Sequence, residues 1–171
     1  MIVKTSESVF RGHPDKICDQ VADGILDAFL KDDKESRVAI ECMIKDNLFI
    51  IVGEVSSRAE IDYESVAKEV LDEIGLNSEE FNFLIKVSEQ SSDISLGVDK
   101  EGAGDQGIMY GYATKETKEL LPLPYVLSRN IAKRMDQVNR LNPTIFGIDG
   151  KCQVSVCYDE NNIPTFVSTI V

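Results

Sequence analysis

Apolar residues recur at every third or fourth position between residues 14 and 31, a spacing that is typical of a helix with one buried face. Pro14 suits the first turn of such a helix, where its missing backbone N–H costs nothing. We therefore predict a helix over residues 14–31. Its buried face carries Ile17, Val21, Ile25, Ala28 and Phe29.

Two further segments have helical spacing. In residues 62–75, Asp62 is a candidate N-cap and Gly75 a C-terminal stop. A third helix is predicted over residues 125–141, after a segment that contains two prolines. The predicted apolar stripes are Val66, Val70 and Ile74 in the first segment, and Leu127, Ile131, Met135 and Val138 in the second.

Runs that are rich in β-branched and aromatic residues predict strands. RVAIECMIK and LFIIVGEVS flank Asp46-Asn47, a hairpin turn signal, and FNFLIKVSE alternates as a strand does. Farther along, KCQVSVCYD and PTFVSTIV flank a DENN turn. Residues 90–112 lose periodicity, and a loop of this length is usually either functional or disordered. We predict a return to strand only at residues 108–112.

A helix followed by a hairpin thus occurs twice, in residues 14–57 and 125–171. The first copy continues into another helix and strand, whereas the second ends on VSTIV, an apolar strand with an open edge that proteins usually cover. We therefore expect the second unit to be incomplete. Either a partner chain completes it, or the sequence is a piece of something longer.

Charge and composition narrow the function classes. The formal net charge of −12 repels phosphate backbones, so nucleic-acid binding is not expected. No apolar run approaches the ~20 residues that span a bilayer, and the first residues lack a secretion signal, so we expect a cytoplasmic protein without membrane contact. Four scattered cysteines and one histidine do not favour a zinc site.

GHPDK, residues 12–16, is the first candidate site. A helix N-terminus presents free N–H groups, His13 and Lys16 can donate hydrogen bonds to an anion, and Asp15 can hold a hard cation. These properties fit a corner that binds phosphate and metal. The alternative is an ordinary capped helix start with exposed polar side chains, and the pentapeptide alone does not decide between them.

Three other places carry polar residues of interest. GAGDQG, residues 102–107, is either a pliable loop that presents Asp105 or a simple surface turn. Glu41 and Glu54 lie within predicted strands, where a carboxylate is either buried, and then paired or bound to a metal, or on the solvent face. The DGK sequence at residues 149–151 is, by itself, an ordinary turn.

The combination and order of these segments closely resemble one enzyme family, the methionine adenosyltransferases or S-adenosylmethionine synthetases. GHPDK and GAGDQG are both signatures of that family. The resemblance covers essentially the whole chain. It is carried by SESVFRGHPDKICDQVADGILD, RVAIECMIKDNLFIIVGEV, EQSSDISLGV, GAGDQGIMYGYATKET and DGKCQVSVCYD.

The resemblance implies an α+β fold of pseudo-repeated units, in which helices cover antiparallel sheets and the second unit is incomplete. It implies an N-terminal domain in residues 1–101, a loop and the first part of the central domain in residues 102–171, and no C-terminal domain. It also implies the reaction: the methionine sulfur attacks the ribose C5′ of ATP, and the departing tripolyphosphate is cleaved to pyrophosphate and phosphate.

Carried over position by position, the resemblance implies an ATP side of the site. His13 would act in catalysis by hydrogen-bonding the leaving triphosphate, and Lys151 by contacting the phosphates. Asp149 resembles an aspartate near the nucleoside, Asp15 the magnesium ligand, and Glu7 a further acidic residue of the site.

The resemblance likewise implies a methionine side. Glu54, Gln90 and Asp105 correspond to residues that bind the amino acid, and Glu41 resembles a ligand of the potassium ion. Family active sites lie between two subunits, so the resemblance implies a homo-oligomer, or a hetero-oligomer with a chain that supplies the C-terminal half.

Two departures from the family pattern stand out. Phe10-Arg11 replaces the small-plus-acidic pair that is more usual before GHPDK, and Ser92 stands where a proline is common. Family members are also much longer than this chain, and phosphate-binding lysines, an arginine and acidic metal ligands lie in the part not seen here. The chain is therefore either a component that needs the missing half, a catalytically inactive regulatory relic that binds nucleotide or methionine, or a fragment.

Overall fold

The computed structural model describes residues 1–89 and 106–171, and the chain divides into two compact units. The split unit consists of Met1–His13 and Met109–Val171, and the continuous unit of Pro14–Ile108. The described elements, in chain order, are β1 (Ile2–Val9), α1 (Pro14–Asp32), β2 (Arg37–Lys45), β3 (Leu48–Ser56), α2 (Tyr63–Ile74), a 3₁₀ turn (Ser78–Glu80), β4 (Asn82–Glu89), α3 (Leu123–Leu141), β5 (Lys151–Tyr158) and β6 (Pro164–Ile170).

In the continuous unit, α1 and α2 pack together against one three-stranded sheet. The strand order is β2–β3–β4, with β2 antiparallel and β4 parallel to β3. The parallel pairing follows from α2, because parallel neighbours need a crossover connection. The core consists of Ile17, Val21, Ile25 and Phe29 from α1, Phe49, Ile51 and Val55 from β3, and Ala67, Leu71 and Ile74 from α2.

Both predicted ends of α2 are confirmed. The Asp62 carboxylate accepts hydrogen bonds from the backbone N–H groups of Glu64 and Ser65, at 3.1 and 3.2 Å. Gly75 has a left-handed backbone with φ of 102°, which a residue with a side chain adopts only at a cost. The first-turn and last-turn signals in the sequence therefore determine where this helix starts and stops.

In the split unit, β5 lies between β1 and β6 and is antiparallel to both. The helix α3 covers one face of this sheet, where Leu123, Leu127 and Ile131 pack against buried side chains of β5. Those β5 side chains are Val154, Val156 and Tyr158. Because β1 pairs with a strand that is distant in sequence, the sheet ties the N-terminal segment to residues 151–158.

The predicted helices and both predicted hairpins are confirmed, and the fold is α+β. The prediction of a strand at residues 108–112 is wrong: these residues have no regular secondary structure, and Ile108, Met109 and Tyr110 are exposed. In the described part of the chain no neighbouring strand pairs with them, and an unpaired extended segment gains no ladder hydrogen bonds. The domain boundary near residue 101 stays a prediction.

The four cysteines are free thiols. Cys152 and Cys157 are buried, and Cys18 and Cys42 are partly buried. None of the helices that the structure describes is long and apolar enough to cross a bilayer.

A nearly buried carboxylate holds the segment before α3 in the split unit. The Glu116 side chain is 8% exposed and lies 3.6 Å from the Lys4 ammonium. Glu116 Oε2 accepts hydrogen bonds from the Tyr158 hydroxyl at 2.7 Å and from the Leu123 backbone N–H at 3.1 Å. Burial raises the pKa of Glu116, but these hydrogen bonds and the Lys4 charge outweigh it, so the net pKa is lowered.

We predict that Glu116→Gln destabilises the chain by about 1–3 kcal/mol at pH 7. A neutral amide would replace a carboxylate that accepts two hydrogen bonds and pairs with the Lys4 ammonium. A lowered pKa in the folded state contributes stability above the ordinary carboxyl pKa of about 4.3 and loses it as the pH falls further. Urea unfolding at pH 7 and pH 3.5 should therefore show a smaller difference between variant and parent at the lower pH.

The control for this prediction is Glu119→Gln, since Glu119 belongs to the same segment and its side chain is 38% exposed. This variant should unfold like the parent at both values of pH. Equal stability of the parent and Glu116→Gln at pH 7 would contradict the role given to the buried carboxylate.

Candidate functional site

The pairing of β1 with β5 continues beyond the ends of both strands. The Phe10 N–H donates to the Gly150 carbonyl at 2.8 Å, and the Gly12 N–H donates to the Ile148 carbonyl at 3.1 Å. We call this contact of residues 10–12 with residues 148–150 the crossing. It joins the segment that leads into GHPDK to the segment that leads into DGK.

Two glycines make the crossing possible. A Cβ atom at Gly12 would lie 2.4 Å from Ile148 Cγ1 and 2.8 Å from the Ile148 carbonyl carbon. A Cβ atom at Gly150 would lie 2.7 Å from the ring of Phe10. These distances are shorter than carbon atoms tolerate, so the two segments approach this closely only because both positions lack a side chain.

The crossing holds two of the predicted site residues. His13 directly follows it, is partly buried, and donates its backbone N–H to the Phe10 carbonyl at 3.1 Å. Asp149 lies within the crossing, and its side chain is exposed. The His13 imidazole and the Asp149 carboxylate are thus attached to two segments that are hydrogen-bonded to each other.

Glu7 and Lys151 lie on the sheet next to the crossing. The register pairs Glu7 with Gln153 and Val9 with Lys151, which places the two side chains on one face of the sheet. The Lys151 ammonium is 3.5 Å from both Glu7 carboxylate oxygens. Because both side chains are about half exposed, this ion pair is weak and can open to admit another anion.

Asp15 belongs to the continuous unit, in the first turn of α1, and its side chain is exposed. It borders a cavity of about 340 Å³ whose wall also contains Cys18 and Cys42. Burial, followed by the charges of Cys18 and Glu41, raises the pKa of the Cys42 thiol to about 12. Cys42 therefore stays protonated and is a poor nucleophile.

Glu41 and Glu54 lie on the sheet face opposite the helices of the continuous unit. Glu41 is paired with Val52 and Glu54 with Ala39, so the two carboxylates share this face. Glu41 is exposed and Glu54 is partly buried. The sequence left open whether these carboxylates are buried or on the solvent face. In the structure they lie on the solvent face of the sheet.

The same face carries large apolar side chains. The exposed fractions are 63% for Met43, 38% for Leu48, 38% for Val52 and 55% for Leu84. We call this outward side of the β2–β3–β4 sheet the open face. An apolar surface of this kind is typical of an interaction site.

Two predicted site residues, Gln90 and Asp105, lie outside the described residues, as does most of the GAGDQG motif. Its last two residues, Gln106 and Gly107, are exposed and have no regular secondary structure. The roles predicted for Gln90 and Asp105 stay predictions.

The site residues therefore fall into two groups. The split unit brings together Glu7, His13, Asp149 and Lys151, whereas the continuous unit carries Asp15, Glu41 and Glu54. Sequence reasoning missed the residues that build the crossing, Phe10 and Ile148, and the partners of Arg11 on α3. No local pattern signals them, because each contact spans more than 100 positions along the chain.

The oxygen donors fit metal ions only in part. Within residues 1–89 and 106–171, no group of three or more His, Cys, Asp or Glu side chains could hold a metal. A single carboxylate such as Asp15 nevertheless suits Mg²⁺, which is commonly bound by one or two carboxylates together with substrate phosphates. Asp15 could therefore supply one ligand, and the described residues form no complete metal site.

Comparison with known proteins gives consistent matches over the whole chain. Residues 1–96 match the N-terminal domain of S-adenosylmethionine synthetase, and residues 100–171 match its central domain. The S-adenosylmethionine synthase of Prochlorococcus marinus (strain MIT 9515) is 43% identical over 187 residues, covering 98% of this chain and 45% of the relative. That of Petrotoga mobilis is 43% identical over 195 residues, covering 98% of this chain and 49% of the relative.

A third relative, the S-adenosylmethionine synthase of Prochlorococcus marinus (strain NATL1A), is 44% identical over 189 residues, with 99% of this chain and 46% of the relative covered. The chain therefore spans about half the length of the curated relatives that it matches.

We predict that Gly12→Ala separates the two segments of the crossing, because the added methyl group meets both the side chain and the backbone of Ile148. The expected loss of stability is about 1–3 kcal/mol, as for other overpacked positions. Thermal unfolding of the full chain measures this loss.

Gly111→Ala and Gly147→Ala are matched controls, since a Cβ atom at either position meets nothing within 4 Å. Both should unfold within a few tenths of a kcal/mol of the parent. Equal loss of stability in all three variants would show that the effect does not come from the crossing.

Proposed function

The chain belongs to the S-adenosylmethionine synthetase family, and on this premise we propose that it forms part of a methionine adenosyltransferase. The enzyme would join methionine to ATP, with tripolyphosphate as the leaving group, and hydrolyse the tripolyphosphate with one water to phosphate and pyrophosphate. The observation that carries the proposal is the crossing, which attaches His13, Asp149 and Lys151 to one hydrogen-bonded ladder.

The proposed reaction needs stabilisation of negative charge more than it needs a nucleophile from the protein. The methionine sulfur attacks C5′ of ATP, the C5′–O bond breaks, and its electron pair leaves with the tripolyphosphate. His13 would donate a hydrogen bond to the departing oxygens, and Lys151 would exchange Glu7 for a phosphate. The unreactive Cys42 thiol agrees with chemistry that uses no cysteine.

Metal ions would complete the phosphate side. Asp15 would hold Mg²⁺ and Glu41 would hold K⁺, in each case as one ligand among several. When bound, the magnesium ion would offset part of the charge that collects on the polyphosphate. The exposed Asp15 side chain leaves room for a metal that is shared with substrate oxygens.

The methionine side would use the ammonium group of the amino acid. Glu54, partly buried on the open face, would pair with that ammonium group together with Gln90 and Asp105. A carboxylate beside apolar strand residues is a strong partner for a cation, because it is less screened there than in water.

We propose further that the working form is an oligomer. The exposed Met43, Val52 and Leu84 of the open face support this, since monomers seldom expose such a group of apolar side chains. The second chain would be a copy of this one, or a chain that carries the C-terminal half of the family sequence. The match to about half of each relative supports the need for that half, on this or another polypeptide.

A second candidate function is binding without turnover. It is favoured by the grouping of Glu7, His13, Asp149 and Lys151 within the split unit, because these residues could hold a nucleotide without a second chain. Calorimetry with MgATP, and separately with methionine, on the chain alone distinguishes the two. Binding that persists without any added half, together with no product in its presence, would favour the binding function.

For the enzymatic proposal we predict that His13→Ala lowers the rate of S-adenosylmethionine formation by about 10²–10³-fold, as expected for the loss of one donor to the developing charge. The assay combines the chain with the C-terminal half of the family sequence and measures product by chromatography. Lys133→Ala is the control, because Lys133 is an exposed residue of α3. A His13→Ala rate equal to that of the control would refute the role of His13.

For the oligomer we predict that Leu84→Lys shifts the chain to the monomer, because a charge placed on the open face opposes apolar contact. Leu141→Lys is the matched control, since Leu141 is 75% exposed at the end of α3, in the split unit. Sedimentation equilibrium measures the masses. The same mass for the parent and both variants would rule out the open face as the contact.

A further inference from the structure

Resting on the proposed function, we propose that Arg11 is a positioning residue, which fixes His13 by anchoring the crossing to the C-terminal half of α3. The anchor consists of Arg11, Asp136 and Asn139, and we call these three residues the clamp. The proposal adds a third element, α3, to the two segments that hold the imidazole in place.

The contacts of Arg11 point to α3 rather than to a ligand. Its guanidinium donates to Asn139 Oδ1 at 2.6 Å through one terminal nitrogen, and to the Asp136 carbonyl at 3.3 Å through the other. Its backbone N–H donates to Asp136 Oδ1, also at 3.3 Å. The planar guanidinium is thereby held at two points, which suits a fixed anchor.

Asn139 connects the clamp to the other side of the crossing. Its side chain is buried, and its amide nitrogen donates to the Phe146 carbonyl, two residues before Ile148. Asn139 therefore accepts a hydrogen bond from Arg11, the residue before Gly12 and His13. It also donates a hydrogen bond to the segment that leads to Asp149. Both segments of the crossing are fixed to the same side chain.

Losing the contacts of the clamp is costly, and for this reason we regard the clamp as a positioning device. Without the Arg11 side chain, the Oδ1 atom of the buried Asn139 loses its charged donor, and residues 10–12 keep the ladder hydrogen bonds and the backbone contact of residue 11 with Asp136. The backbone before His13 then gains freedom, and a catalytic group that moves by about 1 Å can lose about 10²-fold in rate. Arg11 would thus affect turnover without touching substrate.

The histidine itself reports on the clamp, because His13 is the only histidine in the chain. Its imidazole protons give a single set of signals in a ¹H–¹³C spectrum of the full chain, with no substrate and no second half needed. We predict that Arg11→Ala shifts or splits these signals at constant pH. Arg134→Ala is the matched control, since Arg134 is an exposed arginine of α3 that bonds Gln137, and it should leave them unchanged.

The kinetic prediction concerns the active assembly with the C-terminal half. Arg11→Ala should lower kcat by about 10–100-fold, the range seen when outer partners of catalytic groups are removed, with KM for ATP and methionine changed less than threefold. Arg11→Lys should recover only part of kcat, because one ammonium group cannot reproduce the two-point guanidinium contact.

Should Arg11→Ala fail to fold, Asn139→Asp and Arg11→Lys decide the question. Asn139→Asp keeps an acceptor for Arg11 and loses the donor to the Phe146 carbonyl, so it should also move the His13 signals. His13 signals that coincide with those of the parent in every folded clamp variant would overturn the proposal.

The two proposals fail in distinguishable ways. If the parent makes no S-adenosylmethionine with the C-terminal half while the clamp variants still move the His13 signals, the proposed function fails and the clamp stands. If the parent is active and Arg11→Ala retains full kcat, the clamp has no part in catalysis and Arg11 is not a positioning residue.

Discussion

The contact on which the candidate site depends is the crossing of residues 10–12 with residues 148–150. Two backbone hydrogen bonds and two positions without a Cβ atom bring these segments within van der Waals distance. His13 on one side and Asp149 with Lys151 on the other are thereby held by backbone geometry, not by flexible side-chain contacts. A site built on strand ends is more precise than one built on free loops.

The rest of the split unit supports this contact from one side. The helix α3 packs on β5 through apolar residues, Glu116 secures the first turn of the helix, and the clamp secures its end. The opposite face of the sheet carries the charged side chains of Glu7 and Lys151. In the continuous unit the division is similar: helices cover one face of the sheet, and Glu41 and Glu54 lie on the other. In both units, therefore, the strand carboxylates assigned to the site, Glu7, Glu41 and Glu54, lie on the sheet face that packs against no described helix.

Local signals in the sequence predicted much of this fold. Asp62, Gly75 and the periodic apolar residues act over one or two helical turns, so their consequences could be read directly. The strand β1 was missed, because its alternation is weak and its partner lies about 150 positions away. The same holds for Arg11: the sequence marked it as a departure from the family pattern, but only the fold shows that it reaches Asn139. The strand predicted at residues 108–112 is the opposite case, a strand that was predicted but is absent. A pattern that permits a strand does not supply a neighbouring strand to pair with.

Long-range proton contacts in the full chain test most directly whether the crossing exists in solution. A nuclear Overhauser spectrum should contain contacts from the Phe10 ring to the α-protons of Gly150, and from Gly12 to the side chain of Ile148, since these atoms pack directly against each other. The ring current of Phe10 should also change the chemical shifts of the Gly150 α-protons. A folded chain that shows the β1–β5 ladder contacts but neither of these would contradict the account.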